Sequence, residues 1–202
     1  MNRVSGSAVR SGDDGPPSDL ELCAGLRASD TRALRDVFHL MRDELVRYVS
    51  AIVRDGDVAH DLVQDVFVSL WDLRERLEPD CALRSYIYRM ARNRAYRYLR
   101  DERLHAAKHE LIMGERDQMV PQVTLPDAEA DGTILSAHLR RWLEALPDRQ
   151  REALSLSRFQ GLSHREIAAV MGISARTVNN HILRALAHLE ARIQSLEPAE
   201  SR

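Results

Sequence analysis

The residues whose types and spacing point most directly to a chemistry lie between positions 161 and 189. Ser163, followed three residues later by Glu166, has the pattern of a capping box and predicts the start of a short helix. Gly172 supplies the backbone freedom for a tight turn, and Ser174 is a suitable N-cap for the next helix. This order of signals predicts a helix-turn-helix, a motif whose second helix can enter the major groove of DNA.

Polar side chains occupy the outward face of that second helix, where a recognition helix meets base edges and phosphates. Amide and guanidinium groups can form paired hydrogen bonds with bases in the major groove. An antiparallel helix pair with a merely solvated polar face is the alternative, and the coincidence of capping box, glycine turn and polar face favours DNA binding over it. The outward residues are Arg176, Thr177, Asn179, Asn180, His181 and Arg184.

A second candidate for nucleic-acid binding is the segment 84–103, where seven arginines and two acids give a net charge of +5. Four of the five tyrosines of the chain interleave with these arginines. Aromatic rings stack on unpaired bases while arginines hold phosphates, so the segment indicates a surface for single-stranded or melted DNA. The alternative is a solvated helix with tyrosines in the core, as we expect for Tyr88 and Tyr98. The outward side carries Tyr86, Arg89, Asn93, Tyr96, Arg97 and Arg100.

The third candidate is an acidic and amide face on the preceding helix. The segment 55–80 has eight acids and two arginines, a net charge of −6. Within it, Asp61, Gln64 and Asp65 are spaced so that they share one side of a helix. Such a face could bind a basic partner surface, but the local pattern alone favours a merely solvated face.

The elements that must position these residues are helices. Apolar residues recur at helical spacing through most of the chain, and no alternating strand pattern of convincing length occurs. We therefore expect an all-α fold of two small helical domains, with Ser29 as the N-cap of the first long helix. The expected domain plan is a disordered leader (1–17), a first domain (18–109), a flexible linker (110–132), a second domain (133–195) and a tail (196–202).

Length and composition exclude several other classes of protein. The chain has 202 residues, of which 44% are hydrophobic, and this is enough apolar material for packed cores. No apolar run is long enough to span a membrane and the N-terminus has no apolar signal region, so we expect a cytoplasmic protein without membrane insertion. Cys23 and Cys81 form no C-x-x-C motif and are expected to be small buried hydrophobes.

The histidines do not form a catalytic or metal-binding pattern. His105 and His109 are four residues apart but lack a third ligand, and no histidine has a nucleophile relay pattern. We therefore expect no metal, no cofactor and no enzymatic activity.

The chain resembles bacterial sigma factors of the extracytoplasmic-function group over about residues 20–195. DVAHDLVQDVFVSLW, residues 57–71, is similar to the family's region 2.2, which binds the clamp helices of the largest RNA polymerase subunit. The resemblance assigns core polymerase binding to Asp61, Gln64 and Asp65, where Asp65 replaces the common glutamate.

RSYIYRMARNRAYRYLR, residues 84–100, resembles regions 2.3 and 2.4 of the same family, which melt and bind the minus-ten element of a promoter. The loop at residues 77–81 corresponds to the family's base-specificity loop. The resemblance assigns binding of the minus-ten element to Tyr86, Asn93, Arg94 and Arg97. We add Arg89 to this set because it lies on the same outward side.

Residues 146–186 resemble region 4 nearly throughout, and region 4 reads the minus-thirty-five element. The resemblance places four residues on the usual DNA-facing positions and makes two arginines candidates for phosphate contacts. The first group is Asn179, Asn180, Leu183 and Arg184, and the second is Arg158 and Arg176.

The resemblance implies a dissociable subunit that binds bacterial core RNA polymerase and promoter DNA and helps to open the duplex. Many members of the group are held inactive by an anti-sigma factor, which is therefore a further expected partner. The alternative is a stand-alone helix-turn-helix regulator whose first domain senses or dimerises. Such a regulator has no need of an acidic face beside a basic and aromatic helix, and its signature would be a palindromic site bound without polymerase.

Overall fold

The structure, a computed structural model, describes residues 17–113 and 134–195. In these two ranges the regular elements are eight α-helices and one 3₁₀ turn, without strands, which confirms the predicted all-α fold. The elements are α1 (Asp19–Arg27), α2 (Thr31–Val53), α3 (Gly56–Asp72), the 3₁₀ turn (Arg74–Arg76), α4 (Leu83–Met113), α5 (Ile134–Glu144), α6 (Asp148–Arg158), α7 (His164–Met171) and α8 (Ala175–Gln194).

Helices α1–α4 form an N-terminal bundle around a continuous apolar core. Val37 and Leu45 of α2, Val66 of α3 and Ile87 of α4 are completely buried in it. The first helix lies unusually close to the second, because a Cβ added at Gly25 would lie only 2.6 Å from Cβ of Ala33. These contacts hold α3 and α4 side by side, so their outward faces lie on neighbouring parts of the surface.

The start of α2 differs from the prediction. Ser29, the expected N-cap, has a left-handed backbone with φ of 58°, and its N–H donates to the Leu26 carbonyl over 2.9 Å. An N-cap needs an extended backbone. Asp30 has one, and its carboxylate accepts a hydrogen bond from the Arg32 N–H over 2.9 Å. The prediction of Ser29 is wrong because that residue is used in the turn that ends α1.

Helix α4 is longer than the apolar stripe in the sequence indicates. The stripe predicts a helix from about Cys81 to His105, whereas α4 runs from Leu83 to Met113. The first four residues of the predicted linker, 110–113, are therefore helical. The expected leader apart from Pro17, the rest of the linker and the tail lie outside the described residues.

Helices α5–α8 form a C-terminal bundle with a core of its own. Leu156, Ile167 and Val178 are completely buried. Arg151 is also buried, and its guanidinium donates to the Glu144 carbonyl and pairs with Asp148 at the start of α6. The two bundles are in contact, since α7 of the C-terminal bundle packs against α4 of the N-terminal bundle.

Candidate nucleic-acid and partner interfaces

The predicted acidic face lies on the outside of α3. The carboxylate of Asp55 accepts a hydrogen bond from the Val58 N–H over 3.0 Å and so fixes the start of this helix. Asp61, Gln64 and Asp65 are all exposed, as the spacing predicts. This places two carboxylates and one amide together on one accessible side of the helix.

An apolar groove of about 420 Å³ runs beside this acidic face, between α2 and α3. Val68 and Phe38 line it, with 55% and 36% of their surfaces exposed. The sequence pattern places Phe38 in the core, but its ring packs at the surface against that of Phe67, with centroids 5.0 Å apart. The remaining lining residues are Thr31, Leu34, Arg35, Gln64 and Trp71.

The outward face of α4 presents most of the predicted minus-ten residues. Arg89, Asn93 and Arg97 are exposed, and Tyr86 is half-buried. The guanidinium carbon of Arg89 lies 5.5 Å from the centroid of the Tyr86 ring, within the range of a cation–π contact. Tyr88, expected in the core, is completely buried. The helix thus presents cationic, amide and aromatic groups along one side.

Arg94 differs from the other predicted minus-ten residues, because it points towards α3. Its Nη1 donates to Oδ2 of Asp65 over 2.9 Å, and its Nη2 donates to Oγ of Ser69 over 2.5 Å. The side chain of Arg94 keeps 32% of its surface exposed. The structure therefore joins two residues that the sequence analysis assigns to different partners.

The helix-turn-helix has the local geometry that the sequence predicts. The Ser163 N–H donates to the Glu166 carboxylate over 2.7 Å, and the Glu166 N–H donates to the Ser163 hydroxyl over 3.3 Å. Gly172 ends α7 with φ of 67° and ψ of 38°, a left-handed conformation that glycine adopts without strain. Ser174 then caps α8 by accepting from the Thr177 N–H over 3.1 Å.

Helix α8 exposes four of the predicted recognition residues and partly buries three others. Thr177, Asn179 and His181 are half-buried, and the Thr177 hydroxyl lies 2.8 Å from the Ser174 hydroxyl, so this side chain also serves the cap. Nδ1 of His181 is buried and has no hydrogen-bond partner among the described residues. The exposed predicted residues are Arg176, Asn180, Leu183 and Arg184 on α8, and Arg158 at the end of α6.

A buried carboxylate connects the two bundles. Glu152 of α6 accepts hydrogen bonds from Nε of Arg92 over 2.7 Å, from the Tyr48 hydroxyl over 2.9 Å and from the Tyr96 hydroxyl over 3.3 Å. Burial, reinforced by the charge of Glu152, raises the pKa of Tyr96 to about 12 and that of Tyr48 well above its usual value. The geometry keeps both phenols protonated, as donors to one carboxylate.

A second polar cluster crosses the same boundary. The Tyr88 hydroxyl donates to Oε1 of Gln160 over 2.7 Å. Nη2 of Arg84 donates to the backbone carbonyl of Gln160 and to Oε2 of Glu44, in each case over 2.8 Å. Burial, together with the charge of Glu44, raises the pKa of Tyr88. One side of α4 is therefore occupied by the C-terminal bundle, while the side with Asn93 stays free of it.

The described residues hold no group of three or more His, Cys, Asp or Glu side chains able to bind a metal ion. In the same part of the chain, no helix is both long and apolar enough to cross a membrane.

Comparisons with known proteins assign both bundles. The Sigma-70 region 2 family matches residues 37–105, and the Sigma-70 region 4 family matches residues 137–189. The RNA polymerase sigma factor NccH of Alcaligenes xylosoxydans xylosoxydans is 30% identical over 147 residues, which are 71% of this chain and 76% of that protein. The ECF RNA polymerase sigma-E factor of Escherichia coli K12 is 28% identical over 184 residues, 89% of this chain and 96% of that protein.

The chain belongs to the extracytoplasmic-function group of RNA polymerase sigma factors. A sigma factor binds core RNA polymerase and promoter DNA and directs promoter-specific initiation, so the stand-alone regulator is not favoured. Sigma factors regulate transcription rather than catalyse a reaction.

Two solved structures share the fold of this chain. CnrH in complex with the cytosolic domain of CnrY aligns with a TM-score of 0.61 and 24% identity, covering 88% of this chain and 97% of that chain. RpoE in complex with the anti-sigma factor NepR from Bartonella quintana aligns with a TM-score of 0.62 and 21% identity. The alignment covers 81% of this chain and 98% of that chain.

Sequence reasoning missed the residues that join the two bundles of this sigma factor. Glu152 has one signal in the sequence, because it lies one helical turn before the buried Leu156 and so places a carboxylate on an inward face. Gln160 has no such signal, since its partner Tyr88 is 72 residues away in the chain. The groove at Val68 has no local sequence signal, because its walls come from two helices, α2 and α3.

Proposed function

We propose that this sigma factor uses three separate surfaces for polymerase, the minus-ten element and the minus-thirty-five element. The observation that carries the proposal is that chemically different side chains occupy separate parts of the surface. The acidic and apolar groups lie on α2 and α3, the basic and aromatic groups on α4, and an amide and arginine face on α8. Each surface matches a different partner.

The polymerase surface combines the groove at Val68 with the carboxylates and amide of Asp61, Gln64 and Asp65. An exposed apolar groove with a polar rim is typical of a protein–protein interface. The apolar side chains of the groove supply area that binding can desolvate, while the two carboxylates select a basic partner surface. Core RNA polymerase is the partner that binds here.

The minus-ten surface is the outward side of α4. Arg89 and Arg97 supply charge for phosphates, Asn93 supplies an amide for a base edge, and the Tyr86 ring supplies a stacking platform. Arg94 takes part from the edge of this surface while it holds Asp65, so it also fixes α4 relative to α3. Unstacking a base costs a few kcal/mol, which polymerase binding and stacking on this face offset.

The minus-thirty-five surface is the exposed side of α8. Asn179, Asn180 and Arg184 carry groups that form hydrogen bonds with base edges, and Leu183 offers an apolar contact to a thymine methyl group. Arg158 and Arg176 lie where they meet phosphates, and Thr177 and His181 complete the predicted face. The position of Arg176 in the first turn of α8 agrees with the docking of recognition helices by their N-terminal residues.

The contact between the two bundles has to open on a promoter. The minus-ten and minus-thirty-five elements are about 25 base pairs apart, which is about 85 Å at 3.4 Å per base pair. In the structure α4 packs directly against α7 of the helix-turn-helix, so the two DNA surfaces lie much closer than that. Binding to polymerase therefore replaces the contacts of Glu152 and Gln160 with contacts to the enzyme.

We infer that the regulation of this chain also follows its relatives. One similar structure holds CnrH with the cytosolic domain of CnrY, and another holds the sigma factor RpoE with the anti-sigma factor NepR. An anti-sigma factor that binds the groove at Val68 would compete directly with polymerase. The work of the chain is binding without catalysis, and its place is the cytoplasm, where polymerase and promoters are.

Site-specific photocrosslinking tests the proposed surfaces in one experiment. A photoreactive phenylalanine replaces Val68, Tyr86 or Leu183 in the full chain, which is then mixed with core polymerase and promoter DNA. We expect the first to capture the largest polymerase subunit, the second the minus-ten strand and the third the minus-thirty-five duplex. Replacement of the exposed Glu190 is the control, and a Val68 probe that captures only DNA would contradict the assignment.

A further inference from the structure

Two free cysteines are in contact although 58 positions separate them in the chain. Sγ of Cys23 in α1 lies 2.6 Å from Sγ of Cys81, just before α4. Ordinary non-bonded contacts between heavy atoms are about 3.5–4.0 Å, and a sulfur–sulfur bond is about 2.05 Å. The distance between the two sulfurs is therefore closer to the length of a sulfur–sulfur bond than to that of a packing contact.

The surroundings of the pair can accommodate a bond between the sulfurs. Cys23 is completely buried and Cys81 is partly exposed, so a small oxidant reaches the pair from Cys81. The carbonyl of Glu78 accepts from the Cys23 thiol over 3.1 Å and also from the Cys81 N–H over 3.1 Å. When Cys23 loses its thiol proton, this carbonyl keeps a hydrogen bond, so oxidation leaves no acceptor unsatisfied.

We propose that Cys23 and Cys81 form a reversible disulfide on exposure to hydrogen peroxide, and that the bond fastens residues 77–81 to α1. Disulfides in reducing compartments are usually transient, which fits a pair that is present as free thiols. The segment is already anchored by the buried Leu77, and Asp19 of α1 accepts from the Arg84 N–H over 3.1 Å. A bond at Cys81 adds a covalent anchor between these two points.

The reaction uses one peroxide and both thiols. The Cys81 thiolate attacks a peroxide oxygen, the O–O bond breaks, and the products are a sulfenic acid and a hydroxide that takes up the thiol proton to become water. The Cys23 sulfur then attacks the sulfenic sulfur, a sulfur–sulfur bond forms, and the second hydroxide leaves with the remaining proton as water. Two thiols are oxidised and one peroxide is reduced to two waters.

The charges around the pair set its rate and its preferred oxidant. Burial, the hydrogen bond to Cys23 and the nearby carboxylates of Asp19 and Asp80 raise the pKa of the Cys81 thiol to about 12. The thiolate is therefore scarce at neutral pH, and the reaction accelerates about tenfold per pH unit below that pKa. The same carboxylates repel anionic oxidants such as glutathione disulfide, which favours neutral peroxide.

Intact-mass measurement of the full chain tests the disulfide directly. We expect peroxide to lower the mass by about 2 Da through loss of two hydrogens, dithiothreitol to restore it, and a peptide map to link Cys23 with Cys81. C23S and C81S should not show this loss. Both thiols remaining open to alkylation after full peroxide treatment would overturn the proposal, as would sulfinic acid at Cys81 or a linkage between two chains.

Hydrogen exchange and transcription on the same samples test the consequence. We expect slower exchange of the amides of Glu78, Asp80, Cys81 and Ala82 in the oxidised chain. Exchange unchanged by oxidation would contradict the fastening. The effect on transcription rests on the proposed function and on the resemblance of residues 77–81 to the base-specificity loop of the family. We expect oxidation to reduce transcript in the wild type and not in C81S. Reduced protein that supports no transcription contradicts the proposed function, whereas the mass change tests the thiol pair alone.

Discussion

Arg92 and Glu152 form an ion pair that joins the two bundles, with Nε of Arg92 2.7 Å from Oε1 of Glu152. The Glu152 side chain is fully buried and that of Arg92 is 11% exposed. A buried pair contributes little net stability, but removal of one partner leaves a charge without compensation. The pair therefore specifies the closed arrangement, in which the two bundles are packed against each other. One substitution can disrupt it.

Glu152→Gln should favour the open arrangement of the sigma factor. If the bundles stayed packed, loss of this partner would cost about 3–5 kcal/mol. Separation of the bundles avoids most of that cost, because water then reaches Arg92. We expect a larger radius of gyration in small-angle X-ray scattering, with helix content unchanged by circular dichroism.

Glu190→Gln is the matched control for this substitution, since Glu190 is an exposed carboxylate on α8. It should leave the radius of gyration at the wild-type value. Equal radii for the wild type and Glu152→Gln would show that the ion pair does not hold the bundles together.

Alkaline pH should destabilise the closed arrangement through its buried tyrosines. The folded-state pKa of Tyr96 is about 12, above the ordinary value of about 10. A raised pKa stabilises the fold fully below about pH 10, and this contribution is lost as the pH rises from about 10 to about 12. The loss for Tyr96 is about 2–3 kcal/mol.

Urea unfolding measures this loss when it is followed from about pH 8, where the tyrosines are protonated in both states, to about pH 12. Tyr96→Phe removes one titrating group, so its free energy of unfolding should fall less steeply with pH than that of the wild type. Parallel curves for the two proteins would contradict the role given to Tyr96.

Local sequence signals predicted the elements and failed at contacts between distant residues. The helix-turn-helix was predictable because Ser163, Glu166, Gly172 and Ser174 act within a few residues of one another. The prediction of Ser29 as the N-cap of α2 was wrong, because the sequence does not show which of two adjacent capping residues has the extended backbone.

The contacts between elements had no comparable signal. Arg94 lies at the edge of the outward face of α4, and only the packing of α4 on α3 brings it to Asp65. The pairing of Cys23 with Cys81 likewise depends on how α1 docks, since neither cysteine has a motif around it. Tertiary packing, rather than helical periodicity, decides these relationships.

Asp61→Arg should weaken binding to core polymerase by reversing a charge on the acidic face of α3. We choose Asp61 rather than Asp65 for this substitution, because Asp65 also pairs with Arg94 and its replacement would disturb α4. Juxtaposed like charges cost several kcal/mol at an interface, so we expect at least about a hundredfold loss of affinity by fluorescence titration.

Glu190→Arg makes the same change of charge on the C-terminal bundle and should retain most of the affinity for polymerase. Thermal unfolding of both variants checks that the folds are intact. Wild-type affinity in Asp61→Arg would place the polymerase surface elsewhere.

Arg184→Ala should weaken recognition of the upstream promoter element. Arg184 is exposed on α8, and loss of a base contact costs about 1–3 kcal/mol and relaxes specificity at one position. Binding of the polymerase holoenzyme to promoters with single substitutions measures both effects. Arg192→Ala, in the last turn of the same helix, is the control, and equal weakening on every sequence would make Arg184 a phosphate contact.

In vitro transcription with core RNA polymerase on a genomic promoter library tests the central claim most directly. With the purified, reduced chain present, the transcript starts should share two upstream elements, and Asp61→Arg should abolish these starts. A folded chain that adds no specific starts to competent core enzyme, yet binds a palindromic site without polymerase, would contradict the account.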